Sequence, residues 1–112
     1  MHVLIAGAGP AGASLAVQLA KSGWAVTLAD SLPSPERNAY SSAALPLADA
    51  DRLGIPGACR STIWWGWQLL DPDGLEHQWW AADPQGVVLD FAVFRRHLWD
   101  QARQTGVELL NG

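Results

Sequence analysis

The chain has 112 residues, 49% of them hydrophobic and 16% charged, and a formal net charge of −4. So apolar and lightly charged a chain is not intrinsically disordered, and its length fits one domain of about 100–150 residues. Seven lysines and arginines, of which Lys21 is the one lysine, leave too little positive charge for phosphate-backbone binding, which excludes nucleic acid as a partner.

Val3-Leu4-Ile5-Ala6 has the apolar character of a buried parallel strand. The apolar stretch Val3 to Ala8 is far shorter than the roughly 20 residues of a membrane helix. No lysine or arginine precedes it, and Gly7, Gly9, Pro10 and Gly12 interrupt the apolar residues between Val3 and Ala20, so this is not a secretory signal either. A cytoplasmic protein without membrane contact is the expectation. Gly7-Ala8-Gly9-Pro10-Ala11-Gly12 matches G-x-G-x-x-G, and a helix is predicted after it with Leu15 and Leu19, Ala16 and Ala20 on one face. Gly23 stands where a helix stops, Ala25-Val26-Thr27-Leu28-Ala29 is predicted as a second strand, and Asp30 closes it.

The order strand, glycine turn, helix, strand, acid is that of a dinucleotide-binding βαβ unit over residues 1–31. In such a unit Gly7 makes the tight turn, Gly9 lets the backbone approach a pyrophosphate, and Gly12 brings the helix close to the sheet. Amide groups of the first helical turn then face the phosphates. Asp30 stands 18 residues beyond Gly12, close to the spacing of about 20 for an acid that bonds ribose hydroxyls and repels a 2′-phosphate.

The run Gly7-Ala8-Gly9-Pro10-Ala11-Gly12-Ala13-Ser14-Leu15-Ala16, with Gly23, Val26, Leu28 and Asp30, resembles the FAD fingerprint of flavoprotein monooxygenases and tryptophan-halogenase-like enzymes. The resemblance implies FAD as cofactor, NADH or NADPH as electron donor, and a cofactor contact from Gly7, Ala8, Gly9, Pro10, Ala11, Gly12, Asp30 and Ser31. A loop begins at Ser31, with one helix predicted from Leu45 to Leu53 and a stop at Gly54. Arg52-Leu53-Gly54 resembles the family's Arg-Leu-Gly, which sets Arg37 and Ser41 on an arginine and a serine of the family pattern. Arg37 is thereby a candidate contact to the flavin's phosphate or ribose region, or else a solvated loop arginine; Ala39-Tyr40 stands where the family has Gly-Glu.

Cys59, the only cysteine, admits neither an internal disulfide nor a multi-cysteine zinc site, and suits a small buried apolar role better than a nucleophile's. Ile63 to Leu70 and Leu75 to Trp80 flank the turn Asp71-Pro72-Asp73-Gly74, so a β-hairpin is predicted within 61–82. Its tryptophans either fill a sheet–sheet core or, as the resemblance implies for strands inserted here, wall a cavity for an aromatic or other small organic substrate. Gly86 to Asp90 leads into a helix carrying Phe94, Leu98 and Ala102 at four-residue spacing, with Gly106 as its stop and Val107 to Leu110 as a return strand, over 91–110. Asp90, Phe94, Leu98, Ala102, Gly106 and Val107 match the family pattern. Phe91 replaces the polar residue that reaches the flavin in the family, and Arg95 or Arg96 is expected to compensate from one turn away.

The expected fold is thus α/β: a Rossmann-like parallel sheet with an inserted hairpin that belongs to a substrate-domain sheet, incomplete, and equivalent to the N-terminal part of an FAD-binding domain over 1–112. Three parallel strands need cover on both faces, so the remainder of such an enzyme or another subunit is an expected partner. No catalytic residue is identified, since Asp90 and His97 are equally well explained as a helix cap and a surface side chain. His2, His77 and His97 lack metal-ligand spacing, so no metal is expected. Two functions stand: an FAD-dependent oxidoreductase of monooxygenase type, or a non-catalytic module binding FAD or NAD; a reductase or halogenase is a further alternative. Family halogenases rely on a lysine in this region, and Lys21 falls instead at the end of the first predicted helix, where a cation complements the helix dipole.

Overall fold

Strand β1 (His2–Ala6), helix α1 (Pro10–Lys21) and strand β2 (Ala25–Asp30) succeed one another in a computed structural model that describes Met1–Gly112. β1 and β2 pair in parallel, Val3 beside Val26 and Ile5 beside Leu28. Helix α3 (Phe91–Gln104) and strand β8 (Glu108–Asn111) complete this unit, β8 lying parallel to β2 with Leu109 beside Leu28. The strand order is β1-β2-β8. Together Met1–Ser41 and Phe91–Gly112 form one compact unit, and Ser42–Asp90 forms another.

The core of the first unit reflects this register. Val26, Leu28 and Val107 meet Ala13, Ala16 and Val17 of α1 and Leu98, Trp99 and Ala102 of α3. Three small residues on α1 let the two helices lie close together on one face of the sheet. Trp99 is the largest fully buried side chain, and its truncation to alanine would cost about 3–5 kcal/mol. The expected apolar face of α1 is corrected in one position: Leu15 is 49% exposed, because the buried stripe runs through Ala13, Ala16 and Val17. Gly23 and Gly106 take positive φ values of 88° and 87° and stop the two helices as expected.

The opposite face of the parallel sheet carries no helix. There Leu4 is 68% and Leu110 51% exposed. Between them the Thr27 hydroxyl donates to Glu108 Oε2 at 2.8 Å and lies 2.7 Å from His2 Nε2. This cross-strand chain leaves Thr27 only 5% exposed yet satisfied.

The second unit comprises strand β3 (Leu45–Pro46), helix α2 (Leu47–Arg52), a 3₁₀ turn (Gly57–Cys59), and strands β4 (Arg60–Trp64), β5 (Gly66–Leu70), β6 (Glu76–Trp80) and β7 (Gly86–Leu89). The helix predicted over Leu45–Leu53 is thus shorter, its first residues being taken by β3. β5 and β6 form the expected hairpin, with Trp67 opposite Trp79. Asp71 holds its turn by accepting from the Asp73 and Leu75 amides at 3.0 and 2.8 Å.

Ile63 and Trp64 correct the prediction. They belong not to the hairpin but to β4, which pairs antiparallel with β7, and Trp65 marks the break. Gly86–Leu89, read from sequence only as a lead into the last helix, is the central strand of the sheet β3-β7-β4. Its Gly86 has no side chain because the Trp64 ring lies directly on it. Cys59 is buried, and burial pushes its thiol up, away from the reactive thiolate.

Candidate functional site

The chain leaves β1 through a turn that only glycine enters readily: Gly7 has φ 101°. The Gly7 amide donates to the Ala29 carbonyl at 2.7 Å and anchors the turn to the end of β2. Gly9, in extended backbone, caps α1, and Pro10 opens the helix. A Cβ at Gly12 would collide with the Gly7 carbonyl, standing 3.1 Å from its carbon and closer still to its oxygen. At Gly9 the same construction meets nothing within 4 Å. Gly12 therefore serves the packing of helix against turn, whereas Gly9 faces open space.

Two consecutive peptide planes are held from opposite sides. The Ala8 amide donates to Asp30 Oδ2 at 2.7 Å, and the Gly7 carbonyl of the same plane abuts Gly12. The Ala8 carbonyl accepts from the Trp99 indole at 2.7 Å. Asp30 Oδ1 also takes the Leu32 amide at 2.8 Å, so one carboxylate ties the glycine turn to the loop after β2. Each of its oxygens keeps a further lone-pair direction.

A cleft of about 620 Å³ opens at the carboxyl end of the parallel strands, lined by Gly7, Asp30 and Ser31 and by Leu109, Leu110 and Asn111 of β8, among others. Of the residues expected from sequence, Gly7, Asp30 and Ser31 line this cleft. Ala8 is buried beneath the turn, and Gly9, Pro10, Ala11 and Gly12 begin α1 beside it. Arg37 and Ser41 are exposed and do not line it.

The expectation for Arg95 and Arg96 is corrected. Arg95 is only 7% exposed. Its Nε donates to the Pro35 carbonyl at 2.6 Å and another nitrogen to the Arg37 carbonyl, while its guanidinium lies 5.1 Å from the Phe91 ring centre. Arg96 pairs with Glu36, which its hydrogen bond holds below the ordinary carboxylate range. Asn111 adds a bond to the Pro33 carbonyl at 2.8 Å. These side chains fasten the loop after β2, and none of them is left to stand in for the polar residue replaced by Phe91.

Sequence reasoning missed Trp99, Arg95 and the end of β8 as parts of this site. Helical periodicity marks Leu98 and Ala102 as core but carries no signal that the indole reaches a backbone carbonyl 91 residues earlier. The position of β8 beside β2 obeys the crossover rule for parallel strands, which places the end of a third strand against the same cleft.

In Ser42–Asp90, Trp64 and Trp67 line two clefts of about 310 and 290 Å³. Their rings meet edge to face at 5.5 Å, and Trp67 lies 6.4 Å from Trp79. The hairpin is open: Trp67 and Trp79 are each 49% exposed and Trp80 69%. No helix of the chain is long and apolar enough to cross a membrane.

No protein-family model and no curated protein matches the chain. Solved structures do. A geranylgeranyl bacteriochlorophyll reductase-like protein from Thermoplasma acidophilum is 21% identical with a TM-score of 0.83, over 98% of this chain and 29% of that one. The p-nitrophenol 4-monooxygenase PnpA from Pseudomonas putida is 18% identical with a TM-score of 0.72, over 96% of this chain and 31% of that one. The flavin-dependent brominase Bmp2 is 21% identical with a TM-score of 0.68, over 97% of this chain and 29% of that one. The structural neighbours are flavin-dependent monooxygenases and halogenases, and at this identity the likeness is one of fold. The chain spans less than a third of the length of each of these three proteins.

Proposed function

We propose that this chain is the FAD-binding part of a flavin-dependent oxidoreductase of monooxygenase type, acting on a small aromatic or other organic substrate. The observation that carries the reading is the turn from Gly7 to Gly12. Its open side lies at Gly9, its closed side at Gly12, and an acid from the end of β2 is bonded into it. That geometry suits a diphosphate laid across the start of α1. The amides of Gly9, Ala11 and Gly12 have no partner within the chain, and the helix dipole adds positive potential there. Asp30 and Ser31 then offer acceptors to ribose hydroxyls, and Leu109 and Leu110 an apolar wall for an adenine ring.

Bound FAD would supply the redox chemistry, exchanging electrons with a nicotinamide donor and activating oxygen. The residues of this chain bind and orient. Asp30 disfavours a 2′-phosphate by charge, which points to FAD or NAD over NADP in this cleft. Arg95, Arg96 and Asn111 keep the loop after β2 in place at its rim. Within Ser42–Asp90, the clefts beside Trp64 and Trp67 have the size and aromatic walls for a small flat substrate. Lys21 closes α1, about 17 Å along the helix from the glycine turn, which favours oxygenation over halogenation, since halogenases of the family need a lysine near the chemistry.

The test is equilibrium dialysis of the chain against FAD, FMN and NADP, with Gly9→Val as the control. Saturable uptake of FAD that the valine abolishes, with weaker FMN and NADP uptake, is expected. Equal uptake of FAD by the variant, or none by the wild type, would reject the proposal.

A further inference from the structure

A trans peptide is planar, so its C=O and N–H point in opposite directions. The Ala8 carbonyl and the Gly9 amide share one such plane. Trp99 stands in the core beneath the turn, fully buried, and its indole nitrogen lies 2.7 Å from the Ala8 oxygen. With that oxygen drawn into the core, the Gly9 N–H is turned outward, on the side where a Cβ at Gly9 meets nothing. The neighbouring plane is fixed independently by Asp30 at the Ala8 amide. No other hydrogen-bond donor reaches the Ala8 carbonyl, so the indole alone sets the direction of the first phosphate-facing amide.

We infer that Trp99 is a positioning residue for dinucleotide binding: its indole N–H fixes the Ala8–Gly9 peptide so that the Gly9 amide points at the diphosphate. The inference rests on the FAD reading and adds to it a residue from α3, outside the glycine motif. A ring that merely filled the core would do so without its nitrogen. Removal of the N–H alone leaves a buried carbonyl unsatisfied, and the peptide then gains by rotating toward a new donor or water.

Two replacements separate the nitrogen from the ring. Trp99→Phe removes the donor and part of the volume. Installing 3-benzothienylalanine at position 99, with sulfur in place of N–H, keeps the volume and serves if the phenylalanine variant does not fold. Leu98→Val is the control, a core change of similar kind with no contact to the turn. In both donor-less proteins the FAD dissociation constant should rise about tenfold, which corresponds to about 1.4 kcal/mol. The Gly9 amide resonance should also move and broaden in the absence of FAD. Leu98→Val should lower the melting temperature while leaving FAD affinity within about twofold and the Gly9 resonance in place. Wild-type affinity and an unmoved Gly9 resonance in the benzothienylalanine protein would overturn the inference. If the wild type takes up no FAD yet the Gly9 resonance responds to loss of the indole, the flavin reading falls and the orientation of the peptide by Trp99 stands.

Discussion

Two glycines of one motif should fail in opposite ways when a side chain is added. At Gly12 the added methyl has nowhere to go: it meets the Gly7 carbonyl carbon at 3.1 Å and presses harder on its oxygen. Both are backbone, held in turn by the Gly7 amide's bond to Ala29 and by Asp30 on Ala8. No rotamer relieves the clash, so α1 must move off the turn. Overpacking of this kind costs about 1–3 kcal/mol. Alanine's better helix propensity returns at most about 1 kcal/mol of that. Gly12→Ala should therefore be destabilised by about 1–2 kcal/mol, a shift of roughly 4–16 °C in melting temperature for a domain of this size, and lose FAD affinity with it. At Gly9 the added atoms meet only open space, so Gly9→Val should melt within a few degrees of the wild type yet bind no FAD. Urea unfolding monitored by circular dichroism, run beside a flavin-fluorescence titration, separates the two. A Gly12→Ala protein as stable as the wild type, or a Gly9→Val protein that binds FAD normally, would refute the assignment of packing to one glycine and ligand approach to the other.

Three further outcomes rest on named contacts. Asp30→Ala removes the acceptor of two backbone amides as well as a ribose partner, so FAD binding should weaken about ten- to a hundredfold, as dialysis would show; a change under threefold would mean that the carboxylate serves the turn alone. Arg95→Met keeps much of the stem but frees the Pro35 and Arg37 carbonyls, and should cost about 2–3 kcal/mol and open residues 31–37 to limited proteolysis; unchanged cleavage would contradict its role. The hydrogen bond from His77 holds Asp71 below the ordinary aspartate value of about 3.9. Its contribution to the hairpin turn is therefore complete above that value and lost as pH falls through the lower folded value. The Asp73 and Leu75 amide resonances should move together at acid pH, and their constancy down to pH 2 would show that the turn does not depend on the carboxylate.

The dinucleotide unit was legible because each of its signals is local. Gly7, Gly12, Gly23 and Gly106 are read from backbone rules that hold within a few residues, and the apolar strands are too short to be anything else once the glycines bound them. What was not legible depends on partners distant in sequence. Leu15 and Leu19 suggest a stripe at four-residue spacing, but the close approach of α1 to α3 selects the smaller Ala13, Ala16 and Val17 for burial and leaves Leu15 outside. Ile63 and Trp64 look continuous with the hairpin because both segments are aromatic; only their pairing with Gly86–Leu89 assigns them to another sheet. Arg95 reads as a helix-surface cation, and nothing near it announces that two carbonyls from the Pro35–Arg37 loop will be its partners. Trp99 is the sharpest case, since periodicity places its ring in the core but says nothing about its nitrogen.

The most direct test of the account is an amide-resonance map of the ¹⁵N-labelled chain during titration with FAD. The account predicts saturable shifts at Gly7, Gly9 and Ala11 to Ala13, at Asp30 to Leu32, and at Leu109 to Asn111, the three stretches that meet at the carboxyl end of the parallel strands. Shifts confined to the tryptophan hairpin, or none at millimolar FAD, would contradict it.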